Sequence, residues 1–261
     1  MFDTIQYEVT KAGVAIITFL RPKVMNAINV QLGQELYAAL KQVENDKTIR
    51  AVVITGSGRA FCSGQDLGER ITMEEHFNLG DSVRQRYNPI VTKMHNLRIP
   101  TIAAVNGAAA GAGFGLALAC DLRFAAKGAK FTMAFSKIGL VPDSGSSYFL
   151  TRLAGIGKAL EWTWTADVLT AETLAEYGVV NRVFEPQELV EETLAFAERL
   201  ASGPTLAYSL TKQAMYENFQ SSLGEALERE ARLQGIAGRS HDFREGVRAF
   251  IEKRPPKYLG M

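Results

Sequence analysis

The chain has 261 residues, and its 29 Lys and Arg nearly balance 28 Asp and Glu, giving a net charge of +1. That length permits one large domain or two small ones, and the charge balance excludes a strongly basic nucleic-acid surface and a disordered acidic tail. With 47% hydrophobic residues and two cysteines, Cys62 and Cys120, which lack metal-ligand spacing, the composition is that of a soluble globular protein without a disulfide framework. In chain order, the start MFDTIQYEVT has no basic patch ahead of an apolar run, so it does not read as a signal peptide. No apolar run reaches membrane-spanning length, and a cytoplasmic location is expected. The run VAIITF at 14–19 predicts a strand, broken by Arg21-Pro22. Leu32, Leu36, Leu40 and Val43 recur at helical spacing and predict a helix over 29–43 with Asn29 as its cap. AVVIT at 51–55 and IAAV at 102–105 are further strands. These apolar runs lack alternation, which predicts a parallel sheet covered on both faces. The polar stretch 67–86 suits a helical lid, and 90–97 a short helix between Pro89 and Pro100. From about residue 159 the pattern is mainly helical, with segments at 159–166, 171–177, 186–201, 205–218 and 223–235, and a break at Gly203-Pro204.

Glycine is the uneven component: GAAAGAGFG fills 107–115 and GLVPDSGSSY fills 139–148. Such crowding marks places where backbone approaches something closely. AFCSGQD at 60–66 follows a strand and glycine turn, a layout that exposes amides of the kind an oxyanion hole requires. Cys62 within it reads as a buried structural thiol in preference to a nucleophile, since no histidine is near in sequence. NGAAAGAGFG at 106–115 opens a small-residue helix, which suits an anion at its N-terminus, tight helix packing, or both. Asp143, between Pro142 and a Ser-Gly run, is either a general base or a turn and cap residue. His76, His95 and His241 lack partner motifs, and no zinc or nucleophile-elbow motif is present, so neither a metal nor a serine hydrolase is expected. Trp162 and Trp164 read as packing or subunit-interface residues. The segment 244–257 carries five basic residues that could meet a phosphate-bearing ligand.

Three segments resemble the crotonase, or enoyl-CoA hydratase/isomerase, superfamily: RAVVITGSGRAFCSGQDL at 50–67, IPTIAAVNGAAAGAGFGLALACDLRFAA at 99–126 and FSKIGLVPDSGSSYFLTRLAG at 135–155. LRPKVMNAIN at 20–29, EYGVVNRV at 176–183 and EGVRAFIEKRPP at 245–256 also fit, so the resemblance spans practically the whole chain. It implies an α/β fold with a ββα-superhelix core over 1–199 and a C-terminal helical trimerisation region over 200–261, assembled as a trimer or a hexamer of two trimers. It also implies an acyl-CoA thioester as substrate and no permanently bound cofactor. Two backbone amides would hold the thioester oxygen, assigned by match to Ser63 and Ala112, each worth roughly 3–4 kcal/mol to the enolate. Met25, Ala27, Ile28, Cys62, Gln65, Asp66, Phe250 and Lys253 would meet the coenzyme A portion.

The departures from the family pattern point to a subtype. Family hydratases place water with two glutamates, and the matching positions here are Gly115 and Phe135. The carboxylate that stands nearby in sequence is Asp143, at the place of the base in the isomerase branches. FSKIGLVPDSG followed by LTRLAG resembles the ring-1,2-epoxyphenylacetyl-CoA isomerase branch. The expectation is an isomerase in which one Asp shuttles a proton, on a 3-enoyl-CoA or the ring epoxide. The alternatives are a hydratase acting on a trans-2-enoyl-CoA and a non-catalytic thioester-binding or assembly protein.

Overall fold

The computed structural model describes residues 2–70 and 78–261. Strands β1 (Ile5–Val9) and β2 (Val14–Phe19) form an antiparallel hairpin. Helix α1 (Val30–Asn45) follows, and the Asn29 side chain accepts from the Leu32 amide, the cap expected from sequence. The chain then winds through three similar turns. Each lays one strand in a first sheet and a short strand in a second: β3 (Ala51–Gly56) with β4 (Ala60–Cys62), β5 (Thr101–Val105) with β6 (Ala108–Ala110), and β7 (Leu122–Ala126) with β8 (Lys130–Thr132). Between the first two turns lie the short helices α2 (Leu67–Arg70) and α3 (Leu79–Ser82), then α4 (Asn88–Asn96). A π-turn at Val83–Tyr87 precedes α4, and the Asn88 amide bonds back to Val83 O, which lets the helix admit Pro89 with its missing N–H. The middle of the expected lid, residues 71–77 with His76, lies outside the described residues.

The first sheet has the order β1-β2-β3-β5-β7-β10, where β10 is Arg182–Phe184, and every pairing after the first is parallel. Both β3 and β5 are buried along their whole length, which is why they read as unbroken apolar runs. The second sheet has the order β4-β6-β8-β9, with β9 at Leu169–Thr170. Helix α5 (Ala112–Ala119) springs from β6 and is buried at every residue, so its small side chains are the packing solution for a helix inside the core. Helix α6 runs Ser146–Thr165 with a non-helical kink at Gly155, longer than the segment predicted at 159–166. Helix α7 (Ala171–Glu176) is capped by Thr170, and α8 (Leu189–Ala201) packs across β2, β3, β5, β7 and β10. It starts three residues after Pro186, because residues 185–188 form a turn closed by the Glu188 amide on Glu185 O. Helices α9 (Thr205–Asn218), α10 (Leu223–Ala237) and α11 (His241–Ile251) complete the chain. Among the described residues no helix is long and apolar enough to cross a membrane.

Candidate functional site

The N-terminus of α5 is where the glycine-rich segments converge. Ala112 is its first residue, and the opening amides of a helix have no partner within the helix. Among the described residues the Ala112 N–H meets no acceptor. The loop after β4 comes up beside it at Gly64: a Cβ there would lie 2.8 Å from Ala110 O and 3.4 Å from Ala112 N. Gly64 also has φ of +91°, so the approach and the backbone both require glycine.

The loop is held in place by the preceding segment 21–28. The Ile28 amide donates to Gly64 O at 2.7 Å, and the Asp66 amide donates to Ile28 O at 3.0 Å. The Arg21 guanidinium binds Asp66 Oδ2 at 2.9 Å and also the Ala27 carbonyl, clamping both loops. Asn26 is fully buried with φ of +56°, and its side chain bonds the Arg21 amide and the carbonyls of Ser57 and Ala60. Asn tolerates that backbone region better than most residues. From sequence Arg21 marks only the strand break at Arg21-Pro22, and Asn26 carries no site role. Their signal lies within LRPKVMNAIN, where a polar residue at 26 interrupts otherwise apolar positions.

This geometry corrects one assignment. The Ser63 amide donates to Met25 O at 3.0 Å, so it is spent within the loop pair and does not serve an oxyanion. Residues pairing in a parallel ladder send alternate amides to opposite sides. The Asp66 N–H faces residue 28, so the Gln65 N–H is directed away from it. The same geometry divides the expected coenzyme A residues. Met25, Ala27, Ile28, Cys62, Gln65 and Asp66 do come together. Ala27, Ile28 and Cys62 are buried, and the main chain of Ile28 is consumed in the loop's own hydrogen bonds, so these three are walls of the loop. Burial pushes the Cys62 thiol up to about 12, which makes it inert as a nucleophile. Phe250 and Lys253 lie elsewhere, on and just after α11. Phe250 is 85% exposed, and among the described residues no hydrogen bond or ion pair joins Lys253 to the loops.

The third segment arrives as the tight turn 143–146. The Ser146 amide closes it on Asp143 O at 2.9 Å, with φ of +53° at Ser144 and +74° at Gly145. The main chain closes the turn, and the cap position of α6 is Gly145 without a side-chain bond. The Asp143 carboxylate is therefore not the cap of that helix. It accepts from Ser144 Oγ at 2.8 Å and is partly exposed. The turn rests on Gly115, one helical turn or about 4.5 Å along the axis from Ala112. A Cβ at 115 would lie 2.7 Å from Ser146 Oγ and 2.9 Å from Ser144 Cβ. The Phe135 ring lies over Gly111, 3.9 Å from where a Cβ would stand. The turn that bears Asp143 and the Phe135 ring thus flank the first turn of α5. Among the described residues no group of three or more His, Cys, Asp or Glu side chains could hold a metal ion.

Comparison with known proteins agrees with this architecture. A family profile described as "Enoyl-CoA hydratase/isomerase" matches residues 9–260. A Rhodobacter capsulatus protein named "Probable enoyl-CoA hydratase" is 44% identical over 259 residues, covering 99% of both chains. The Escherichia coli "1,2-epoxyphenylacetyl-CoA isomerase" is 43% identical over 250 residues, covering 95% of both. The crystal structure of an enoyl-CoA hydratase from Bacillus anthracis superposes with a TM-score of 0.92 at 34% identity, covering 99% of this chain and 100% of that one. The chain is therefore an enzyme of the enoyl-CoA hydratase/isomerase family, with the crotonase fold.

Proposed function

We propose that the protein is an acyl-CoA isomerase that moves a proton with one carboxylate, Asp143. The observation that carries this reading is the packing at position 115. The turn bearing Asp143 occupies the space that a side chain there would need, and Phe135 fills the other hydratase position with an apolar ring. Two carboxylates are replaced by one.

The chemistry follows from these parts. The thioester oxygen of a bound 3-enoyl-CoA sits at the N-terminus of α5, where the Ala112 amide and the Gln65 amide donate to it. Asp143 takes a proton from C2. The electron pair passes into the thioester, and the oxygen carries the negative charge of the dienolate. Donors fixed before the reaction stabilise that charge without reorganisation, by roughly 3–4 kcal/mol each. The resulting Asp143 carboxylic acid returns the proton to C4, and the double bond moves into conjugation at C2–C3. No water is added, so no second carboxylate is required. For a ring-1,2-epoxide of phenylacetyl-CoA the same oxygen site polarises the thioester during ring expansion. That substrate is supported by the similarity to the Escherichia coli isomerase.

Met25, Gln65 and Asp66 border the coenzyme A channel, and Phe250 and Lys253 reach it from a neighbouring copy in a trimer or hexamer built on residues 200–261. Incubation with 3-hexenoyl-CoA, crotonyl-CoA and the ring epoxide in parallel, followed by mass and ultraviolet spectrum, tests the assignment. The expected products are 2-hexenoyl-CoA and the oxepin, without hydration of crotonyl-CoA. Rapid formation of 3-hydroxybutyryl-CoA alone would establish the hydratase, the activity in the name of the Rhodobacter relative. Binding of all three without turnover would establish a non-catalytic protein.

A further inference from the structure

We infer that Ser144 is a positioning residue that fixes the Asp143 carboxylate against the anion-holding end of α5; the inference rests on Asp143 being the base. Ser144 is 1% exposed and has φ of +53°, a region that side-chain-bearing residues rarely adopt. The next position in the turn is a glycine at +74°, and a glycine at 144 would suit the backbone better. The serine is thus held where its backbone is strained, and two contacts of its side chain account for it. Its Oγ donates to Asp143 Oδ1 at 2.8 Å. Its Cβ packs on Gly115, so closely that a methyl group there would approach to 2.9 Å. One residue therefore joins the carboxylate to the helix whose first amide, at Ala112, faces the substrate oxygen.

A hydroxyl suits this place because it serves both protonation states of the base. It donates to the carboxylate before proton transfer, and it can donate to or accept from the carboxylic acid afterwards. The carboxyl plane then keeps its orientation during the lifetime of the dienolate, when the proton must be delivered to C4 and not lost to solvent.

The test compares Ser144→Gly, Ser144→Ala and Asp143→Asn on 3-hexenoyl-CoA. Ser144→Gly removes the hydroxyl while relieving the backbone, so its Tm should equal or exceed that of the parent. Its kcat should still fall roughly 10- to 100-fold, the scale of a misplaced catalytic group, with KM nearly unchanged. Ser144→Ala should show the same kinetic change with a lower Tm than Ser144→Gly. If Asp143→Asn abolishes turnover while Ser144→Gly keeps the parental kcat and KM, the role of Ser144 is wrong and the base assignment stands. If Asp143→Asn turns over normally, both fall together.

Discussion

A glutamate side chain at position 115 would start inside its neighbours. Its Cβ would stand 2.7 Å from Ser146 Oγ and 2.9 Å from Ser144 Cβ, both buried in the turn that carries Asp143. Restoring the hydratase pair by Gly115→Glu with Phe135→Glu is therefore expected to yield no hydration of crotonyl-CoA, measured by loss of enoyl absorbance. Even Gly115→Ala should destabilise the fold by about 1–3 kcal/mol through overpacking, visible in urea unfolding. At this scale the sequence was legible where chemistry depends on residue type. The absence of glutamate at 115 and 135, the carboxylate at 143 and the small residue that opens α5 at 112 are all visible in the letters. It was illegible where chemistry depends on direction. Ser63 and Gln65 sit two apart in one loop, and only the long-range pairings reveal that the Ser63 amide is bonded to Met25 O while the Gln65 amide points away from residue 28. Such long-range pairings leave no local mark.

Among the elements, the sequence locates β2, β3 and β5 by their unbroken apolar runs, and α1, α7 and α10 coincide with side-chain caps at Asn29, Thr170 and Ser222. The short strands of the second sheet escaped because three residues carry too little periodicity. Strand β7 escaped because Arg123 interrupts its apolar run. The structure buries that guanidinium and satisfies it with the carbonyls of Val179, Cys120 and Leu118. A second polar feature lies between α4, α6 and α9, where His95 packs against Tyr148, Phe149 and Tyr216. Among the described residues its Nδ1 is buried without a hydrogen-bond partner. Burial and then the Lys212 charge hold its pKa below the ordinary value of 6.5, against the pull of Asp121. The unfolded chain therefore takes up the proton first as pH falls. Stability present above about pH 6.5 is lost below it, down toward the folded pKa. Thermal unfolding between about pH 7 and pH 5 should show this loss, and His95→Phe, which keeps a ring in the packing, should flatten it. An unchanged slope in the variant would remove His95 as the source.

For the whole molecule, the α/β core closes upon itself, while the C-terminal helices leave apolar side chains uncovered. Met215, Leu223 and Leu227 on α9 and α10, and Phe219 at the end of α9, are all more than half exposed. The last residues are tied back to the chain, with the buried Asp242 carboxylate accepting from the Leu259 and Gly260 amides and Arg50 donating to Tyr258 O. The region is thus ordered and still lacks a cover for its apolar faces, as an assembly module would. Light scattering should report a trimer or hexamer, and Leu223→Glu with Leu227→Glu should shift it toward monomer with loss of activity. Assembly is the property least legible in one chain, because a face that packs against a copy and a face that packs against the core have the same composition. The proposed reaction nonetheless turns on one carboxylate. The most direct measurement is the rate of 3-hexenoyl-CoA isomerisation, followed by the absorbance of the conjugated product, for the parent and for Asp143→Asn. This near-isosteric change removes the base and leaves the turn in place. A fall of roughly 10²- to 10⁴-fold, the usual contribution of a general acid–base group, is predicted. A variant that isomerises within a few-fold of the parent would contradict it.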